Sequence, residues 1–316
     1  MAIISTTYSE LNQLKYSKSI ITIGSFDGVH LGHQKIFDKM NKLSLENNNC
    51  KKILITFDPH PASIINKKIL EQYYLSSSLF DKVNSIQKNN IDIIVVISFN
   101  KKLSLVTAKD FFEKIISSFN PLHVVMGYDH GFGYKREGNV KFLKTNYKES
   151  KFQIHEIKPK KLNKETTISS TLIRKLILNG EIRKANLMLN KKYSLIGTVV
   201  RGMGLGKKIN FPTINLSVYN KGQILPKRGV YFVELVIENK KYKGMCNIGF
   251  RPTVTNSEEE TIEIHIFRVK INADFYNKEV KVFFVEYIRE EKKFKNIDFL
   301  IKQLNKDKQL CLSIKN

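Results

Sequence analysis

The sequence predicts an α/β protein in two parts: an open, mostly parallel sheet with helices on both sides, followed by an antiparallel sheet or small barrel. Two observations lead to this prediction. In the first half, short β-branched apolar runs alternate with longer helical patterns, which is the βαβα order of a parallel sheet. After about residue 190, apolar and polar residues alternate and hairpin turns appear, which is typical of antiparallel strands. The predicted domains are 1–186 and 187–316.

The predicted strands of the first half are apolar on both faces, as buried parallel strands are. They are 20–23, 53–57, 91–99 and 123–126. Helical patterns lie between them at 34–45, 79–89 and 108–119, and a helical zone follows at 170–189. Because ligands of such sheets bind at the carboxyl ends of the strands, we expect function in the turns that follow each strand.

The predicted strands of the second half alternate in polarity. They begin near Tyr193 and include 230–237 and 242–248, with a turn at 238–240, and then 261–269 and 279–287. An amphipathic helix over 294–306 closes the pattern.

Composition limits the classes of partner. The net charge of +24 suits phosphate-bearing ligands, nucleic acid or an anionic membrane. No basic stretch is interleaved with aromatic residues, so we expect no specific nucleic-acid partner. The longest apolar run, 91–99, is too short to span a bilayer, which argues against a membrane partner. Three widely spaced cysteines favour a reducing, cytoplasmic setting, and the oligomeric state stays open.

The strongest functional signal is the glycine-rich turn at residues 24–33, between the first buried strand and a helix. Its glycines let the backbone approach a phosphate, and the helix directs free N–H groups to that place. His30 and His33 lie three apart, so both imidazoles can stabilise charge on an α-phosphate as pyrophosphate leaves. Two alternatives stay open: a metal site with Asp58 and His60, or simple capping and packing of the helix.

A second glycine-rich stretch, residues 202–208, precedes the sequence NFPTIN at 210–215. Its spacing does not match a P-loop and favours a flexible flap over a nucleotide. In extended chain, Thr213 and Asn215 point to one side, and their neutral oxygens suit Mg²⁺ bound with phosphates. An ordinary Pro-Thr turn is the alternative.

Glu263 lies in a predicted strand, on the face opposite the apolar residues and together with His265. A carboxylate on that face, near a metal, can accept the proton of a primary alcohol. The alternative is a solvated strand residue.

Six segments resemble, in order, those of prokaryotic bifunctional riboflavin kinase/FAD synthetases. They are GSFDGVHLGH at 24–33, TFDPHP at 56–61, GYDHGFG at 127–133, ISSTLIR at 168–174, FPTIN at 211–215 and TIEIHI at 261–266. Ile214 stands where alanine is usual in the FPTxN signature of riboflavin kinases. The resemblance runs from about residue 20 to residue 307.

This resemblance implies a parallel-sheet, Rossmann-like HxGH nucleotidyltransferase domain. It also implies a small antiparallel β-barrel riboflavin kinase domain with a C-terminal helix. The implied reactions are ATP-dependent phosphorylation of riboflavin to FMN, then adenylyl transfer from ATP to FMN, giving FAD and pyrophosphate. The implied partners are therefore the small molecules riboflavin, FMN and ATP, and the implied cofactor is Mg²⁺.

The resemblance also assigns roles to single residues. The catalytic candidates are His30, His33, Arg174 and Glu263. The candidates for binding ATP are Gly24, Phe26, Asp27, Gly28, Ser169, Ser170, Thr171, Gly202, Gly204 and Gly206. The candidates for binding flavin are Asp129, Phe132, Arg289 and Phe294. The candidates for binding Mg²⁺ are Thr213 and Asn215.

Several positions depart from the family pattern. Gly131 stands where a basic or polar residue is common, Asn210 and Asn277 replace glycines, and Asp81 replaces the glutamate before Lys82. Two alternatives to a bifunctional enzyme follow. One is a riboflavin kinase whose other half is degenerate, and the other is a basic protein that carries flavin or nucleic acid without catalysis.

Overall fold

The structure is a computed structural model that describes residues 2–65, 73–76, 78–202, 204–252, 258–269 and 275–314. Within these ranges, the side chains of residues 205, 251, 252, 258 and 259 are outside the description. The chain divides into two compact units, Met1–Ser170 and Thr171–Asn316. The predicted domain boundary at 186/187 lies further along the chain and stays a prediction.

A six-stranded parallel sheet forms the centre of the first unit, in the order β1-β4-β3-β2-β5-β6. Its strands are β1 (Ala2–Thr6), β2 (Ser19–Ile23), β3 (Lys51–Asp58), β4 (Ile93–Ser98), β5 (Pro121–Gly127) and β6 (Gln153–Ile157). The predicted parallel sheet is confirmed, and the four predicted strands are its inner strands. The strand order reverses between β2 and β5, so the turns after these two strands meet where such sheets bind ligands.

Helices cover both faces of this sheet, as predicted. They are α1 (Leu31–Glu46), α2 (Pro61–Ile65), α3 (Leu79–Gln87), α4 (Ala108–Phe119) and α5 (Val140–Asn146). Neighbouring residues of β2 belong to the two opposite cores, because side chains alternate along a strand. Ile20 lies in the core that contains Phe37 of α1, and Ile21 lies in the core that contains Phe112 of α4.

The second unit is a closed antiparallel barrel with the strand order β10-β11-β8-β7-β12-β9. Two helices precede it, a one-turn helix follows its first strand, and a longer helix closes the chain. The helices are α6 (Ser170–Leu178), α7 (Ile182–Leu189), α8 (Leu205–Lys208) and α9 (Ile297–Ser313). The strands are β7 (Tyr193–Val200), β8 (Ile214–Val218), β9 (Gly229–Ile237), β10 (Lys240–Pro252), β11 (Glu258–Ile266) and β12 (Glu279–Arg289). The implied barrel with a C-terminal helix is confirmed.

The C-terminal helix α9 begins later and extends further than the predicted range of 294–306. Its start is set by Asn296, whose side-chain oxygen accepts a hydrogen bond from the N–H of Phe299 at 3.1 Å. Its extension is explained by Cys311, which is buried in the same apolar cluster as Phe232 and Met245 of the barrel. Within the described ranges, no helix is long and apolar enough to cross a membrane.

Candidate active sites

Helix α1 begins at a capping box that is made of two imidazoles. Nδ1 of His30 accepts hydrogen bonds from the N–H groups of Gly32 at 3.1 Å and His33 at 3.4 Å. Nδ1 of His33 accepts one from the N–H of His30 at 3.3 Å, and the two rings stack with centroids 3.7 Å apart. A nitrogen that accepts carries no proton, so each neutral ring has its proton on Nε2. Both histidines therefore hold Nε2 as a hydrogen-bond donor, which is what binding phosphate oxygens requires.

The structure shows the cap of the capping alternative, and the phosphate alternative stays a prediction that this cap does not exclude. The cap uses Nδ1 of each ring and thereby leaves the proton on Nε2. Gly32 is required by the same arrangement, because a Cβ there would lie 2.9 Å from Cε1 of His30. The rings of Phe26 and His33 make an edge-to-face contact, with centroids 5.1 Å apart. Phe26 is only 2% exposed, so it is part of the core, and its contact with ATP stays a prediction.

Asp27 ties the glycine-rich turn to a distant part of the chain. Its carboxylate accepts hydrogen bonds from the N–H groups of Leu75 at 2.9 Å and Ser76 at 3.0 Å. In return, the hydroxyl of Ser76 accepts one from the N–H of Gly28 at 3.2 Å. The hydroxyl of Ser170 donates to the carbonyl of Asp27 at 3.3 Å, which places this part of the second nucleotide motif against the turn. The carboxylate predicted to bind ATP is therefore a buried tether in this structure.

Lys82 provides a second tether, which sequence reasoning missed. The residue is 6% exposed, and its ammonium group donates to the carbonyl of Phe57 at 2.8 Å and to the hydroxyl of Thr56 at 3.3 Å. The hydroxyl of Thr56 in turn donates to the carbonyl of Ser25 at 3.1 Å. Burial lowers the pKa of Lys82, and the nearby charge of Asp27 opposes this effect. The end of β3 is thereby joined to the turn that carries the histidines.

The metal alternative for the first unit does not form. His60 instead begins α2, where its Nδ1 accepts a hydrogen bond from the N–H of Ala62 at 3.2 Å and its ring lies 4.9 Å from that of Tyr73. In the part of the chain that the structure describes, no group of three or more His, Cys, Asp or Glu side chains lies where it could hold a metal ion.

Two cavities lie beside the loop after β5, and the predicted flavin residues are divided between them. An apolar cavity of about 680 Å³ is lined by Phe132, and a polar cavity of about 630 Å³ is lined by Asp129. Gly131 and Arg136 line both cavities. A Cβ at Gly131 would lie 2.9 Å from Cβ of Arg136, so this packing explains why a glycine departs from the family pattern here. Aromatic rings contribute to the wall of the apolar cavity: Phe57, Phe99, Phe111 and Tyr134.

The remaining residues predicted for the nucleotide site lie at the start of α6. Ile168 and Ser170 are close to the histidine turn: a Cβ at Gly32 would lie 3.5 Å from the carbonyl oxygen of Ile168. Thr171 and Arg174 belong to the second compact unit, and Arg174 is 8% exposed. Their part in the nucleotide site, and that of Ser169 and Gly24, stays a prediction.

In the second unit, strand register brings the predicted kinase residues together. Strands β8 and β11 pair so that Asn215 lies opposite Glu263 and Ile214 lies opposite Ile264. Side chains that are directly opposite in antiparallel strands point to the same face, so Asn215 and Glu263 share a face. His265 lies two residues along on that same face.

The glycine-rich stretch lies directly against the residues predicted to bind Mg²⁺. A Cβ at Gly202 would collide with the amide of Asn215. A Cβ at Gly206 would collide with the carbonyl of Phe211 and would lie 3.5 Å from Oγ1 of Thr213. Gly204, at φ +72°, precedes the one-turn helix α8, which the sequence did not predict. Glycine is therefore needed at position 202 because of the Asn215 side chain and at position 206 because of the Phe211 backbone.

One cavity of about 380 Å³ gathers most of the predicted kinase residues. Gly206, Thr213, Glu263, Arg289 and Phe294 all contribute to its wall. Its further lining includes His265, which the sequence places on the face of Glu263, and residues that the sequence did not single out: Met245, Cys246, Asn247 and Glu291. These residues could be inferred from the sequence only as neighbours of motif residues. The strand register, which the sequence does not show, places β10 beside Glu263.

The electrostatics of this cavity are set by burial. Burial, and then the carboxylate of Glu263, raise the pKa of Cys246, which keeps this thiol protonated.

The guanidinium of Arg289 makes a two-pronged ion pair with Asp307 of α9, with Nη2 2.7 Å from Oδ2 and Nε 3.1 Å from Oδ1. Gln303 donates to the same carboxylate at 2.8 Å. Arg289 therefore fixes α9 against the cavity wall, with the ring of Phe294 5.9 Å from its guanidinium.

Two of the departures from the family pattern keep the backbone that glycine would give. Asn210 has φ +60° and Asn277 has φ +62°. Asparagine adopts this left-handed region more readily than other non-glycine residues. Both substitutions therefore leave the local chain path intact.

Comparisons with known proteins cover both units. The family model described as FAD synthetase matches residues 12–172, and the model described as Riboflavin kinase matches residues 189–314. A bifunctional riboflavin kinase/FMN adenylyltransferase of Buchnera aphidicola subsp. Schizaphis graminum is 35% identical and covers 92% of each chain. Its namesake from Bacillus subtilis is 32% identical over 93% of this chain and 91% of its own.

A solved crystal structure points to the same fold over the whole chain. It is named as a macrolide-efflux protein from Streptococcus pneumoniae and is 26% identical, with a TM-score of 0.87 over 100% of both chains. The two family models and the curated relatives confirm the resemblance that the motifs indicate. The chain therefore belongs to the family of bifunctional riboflavin kinase/FAD synthetases.

Proposed function

We propose that the chain makes FAD from riboflavin in two steps, each carried out in its own unit. The barrel unit transfers a phosphoryl group from ATP to riboflavin and gives FMN. The parallel-sheet unit transfers an adenylyl group from ATP to FMN and gives FAD and pyrophosphate. The single observation that best supports this division is that five residues predicted from four separate stretches of the sequence line one cavity of the barrel. Efflux is not part of the proposal, because both family models describe flavin enzymes.

In the kinase step, Glu263 accepts the proton of the primary alcohol of riboflavin as the phosphoryl group is transferred. Its place on the cavity wall, with Thr213 on the same wall and Asn215 opposite it in the neighbouring strand, supports this role. A general base must lie within hydrogen-bond reach of the proton that it takes, and in this proposal riboflavin binds in the cavity that Glu263 lines.

Thr213 and Asn215 are the residues that would hold Mg²⁺. Both offer neutral oxygens, and Mg²⁺ takes few protein ligands and completes its shell with water and substrate phosphates. The glycine-rich stretch lies beside this pair, since a Cβ at Gly202 would collide with the amide of Asn215 and one at Gly206 would lie 3.5 Å from Oγ1 of Thr213. The donor set therefore fits the ion. When bound, Mg²⁺ neutralises charge on the transferred phosphoryl group.

In the adenylyl step, His30 and His33 bind the α-phosphate of ATP through their Nε2 protons. The start of α1 adds its free N–H groups and the positive end of its dipole. The reaction needs no covalent nucleophile, because donors that are aimed at the growing charge are sufficient. We assign the ring system of FMN to the apolar cavity that Phe132 lines, since a flat apolar ring matches aromatic walls. A cytoplasmic location, predicted from the cysteines, belongs to the same proposal.

A product assay tests both steps at once. Purified protein is incubated with riboflavin, ATP and MgCl₂, and the flavins are separated by chromatography over time. We expect FMN to rise first and FAD to follow, and we expect EDTA to stop both. A parallel reaction that starts from FMN isolates the second step.

Other outcomes would favour the alternatives. Accumulation of FMN with no FAD in either reaction would favour a chain with a degenerate first half. Absence of both products, together with steeply salt-dependent binding to DNA, would favour a non-catalytic carrier.

A further inference from the structure

We infer that His265 is a positioning residue of the kinase site, which holds Thr213 in place through a hydrogen bond to the carbonyl of Pro212. Nδ1 of His265 lies 2.9 Å from this carbonyl oxygen, and the two residues are 53 positions apart in the chain. The inference rests on the assignment of the kinase reaction to the barrel cavity. It adds a residue to which neither the motif resemblance nor the comparisons give a role.

The bond occurs where the pairing of two strands ends. The ladder between β8 and β11 has its last registered pair at Ile214 and Ile264. His265 and Thr213 are the next residues on each side. Pro212 has no N–H, so this residue can join the neighbouring strand only through its carbonyl. The side chain of His265 makes that connection one residue before Thr213.

The chemistry of the bond determines the state of the ring. A carbonyl oxygen can only accept a hydrogen bond, so Nδ1 of His265 carries the proton and Nε2 carries the lone pair. The ring is 6% exposed and lies between Phe211 and Phe267, with centroids at 5.0 and 5.8 Å. Burial lowers the pKa of His265, and the nearby ammonium of Lys308 acts in the same direction although the bond to the carbonyl opposes both. The neutral ring with its proton on Nδ1 is therefore the working form.

The position of Thr213 depends on this link for a simple reason. Thr213 supplies a hydroxyl to the cavity, and the backbone before it is the Pro212 carbonyl that His265 holds. Partners that orient a metal ligand are commonly worth 10- to 100-fold in metal affinity or activity. Loss of the Nδ1 bond should therefore weaken the Mg²⁺ response of the kinase more than it weakens the binding of riboflavin.

The same ring offers a competing role, which amide substitutions can separate. Nε2 of His265 is buried and has no hydrogen-bond partner within the described residues, and the ring lines the cavity. A bound substrate hydroxyl could therefore donate to Nε2. The amide of asparagine reaches about as far as Nδ1, whereas the amide of glutamine reaches about as far as Nε2. His265→Asn keeps a donor for Pro212, and His265→Gln keeps a polar group near the cavity instead.

The test compares His265→Asn, His265→Gln and His265→Leu in the full chain. For each variant, the Mg²⁺ concentration at half-maximal FMN formation is measured at saturating ATP, together with the KM for riboflavin. We expect His265→Leu and His265→Gln to raise the Mg²⁺ requirement about 10-fold or more, and His265→Asn to recover most of it. FAD formation from supplied FMN, in the other unit of the same molecule, is the internal control and should stay near wild type.

A second readout does not depend on activity. In protein labelled with ¹⁵N-histidine and free of Mg²⁺, long-range proton–nitrogen spectra report the tautomer of each ring. We expect a ring protonated on Nδ1 in wild type that is missing from His265→Asn. If the wild-type protein made no FMN, the proposed function would fail while this signature remained.

Three outcomes would overturn the inference. The first is a wild-type spectrum in which His265 carries its proton on Nε2. The second is recovery by His265→Gln but not by His265→Asn, which would assign the effect to Nε2 and the ligand. The third is an unchanged Mg²⁺ requirement in His265→Leu, or an equal loss of FAD formation, since either would leave the ring without a local role in the kinase site.

Discussion

The two proposed sites of this chain are built in different ways. The proposed adenylyl site lies in a turn between β2 and α1, and side chains from distant parts of the chain hold that turn in place. Asp27 reaches Leu75 and Ser76, and Lys82 reaches the end of β3. The kinase site lies on paired strands of a closed barrel, where the backbone ladder itself sets Asn215 opposite Glu263.

This difference indicates where each site is vulnerable. In the turn, position depends on single buried hydrogen bonds, and losing one partner leaves a buried polar group unsatisfied, at about 1–3 kcal/mol. In the barrel, many backbone hydrogen bonds between paired strands hold each residue in position. A residue whose position depends on a single hydrogen bond is expected only where the pairing ends. The end of the ladder at Ile214 and Ile264 is such a place. A site in a turn needs tethers throughout, whereas a site on paired strands needs one only where pairing ends.

The largest effect is expected for Glu263→Gln. Removal of a general base lowers the rate of its step by roughly 10²- to 10⁴-fold. FMN formation should fall by that factor, because the amide cannot accept the proton of the alcohol. FAD formation from supplied FMN should stay within about 2-fold of wild type, since it takes place in the other unit. Initial rates of both reactions, measured on one preparation, check this.

Glu279→Gln is the matched control for this change. Glu279 is an exposed residue at the start of β12, so the same substitution there should leave both rates near wild type. An equal fall of both reactions in folded Glu263→Gln protein would contradict the separation of the two sites.

A somewhat smaller effect is expected for His30→Asn. Asparagine is a good N-cap, so it should still accept the hydrogen bonds from the N–H groups at the start of α1. It has no atom in the place of Nε2, so the donor to the α-phosphate is lost. We expect FAD formation from FMN to fall about 10²- to 10³-fold, the usual effect of removing one such donor, while FMN formation continues.

Thr107→Ala is the control for this change, because it removes a helix cap without removing a hydrogen-bond donor to the α-phosphate. The hydroxyl of Thr107 accepts a hydrogen bond from the N–H of Asp110 at 3.1 Å and caps α4 in the same unit. Its removal should cost about 1 kcal/mol of unfolding free energy and leave FAD formation intact. If His30→Asn kept full FAD formation, His30 would be a cap and nothing more.

Sequence patterns predicted the centre of each unit better than the edges. The inner strands β2 to β5 are apolar on both faces and are readable as runs. The edge strands β1 and β6 are half exposed, so their polar residues break the run, and neither was predicted. Helix α8 is a single turn, too short for a periodic pattern to show.

For the proposed sites, the motifs indicate candidate substrate-binding residues, but they do not reveal the long-range contacts that hold the surrounding chain in place. Asp27 and Lys82 find their partners 48 and 25 positions away, and no local pattern reports such a contact. The register that places Asn215 opposite Glu263 is also long-range. Asn210 shows the opposite kind of error. Its departure from the family pattern suggests a defect, but its left-handed φ of +60° shows that asparagine keeps the backbone conformation that glycine would adopt.

The smallest effect is expected on the free energy of unfolding at acidic pH, and it should also distinguish the two units. His130, in the loop after β5 of the first unit, is half-buried with its Nε2 enclosed, and this loss of solvent, followed by the charge of Arg136, lowers its pKa to about 4. The unfolded chain protonates the same residue below about pH 6.5, so the unfolded state binds more protons between pH 6.5 and 4. The stabilising contribution is therefore present above pH 6.5 and is lost as the pH falls through this window. At 1.36 kcal/mol for each pH unit, the loss over this window is at most about 3.4 kcal/mol.

His130→Phe removes this titration and keeps a flat ring 6.4 Å from that of Phe132. Urea unfolding from pH 7 to 4.5 should show a shallower decline in unfolding free energy for His130→Phe than for wild type. Thr107→Ala, which removes a cap without removing a titrating group, should lower the curve without changing its slope. A slope as steep in His130→Phe as in wild type would place the acid sensitivity elsewhere. The first unit would then not be the more acid-sensitive of the two. The pKa of His265 is also lowered, so the barrel has an acid-sensitive histidine of its own.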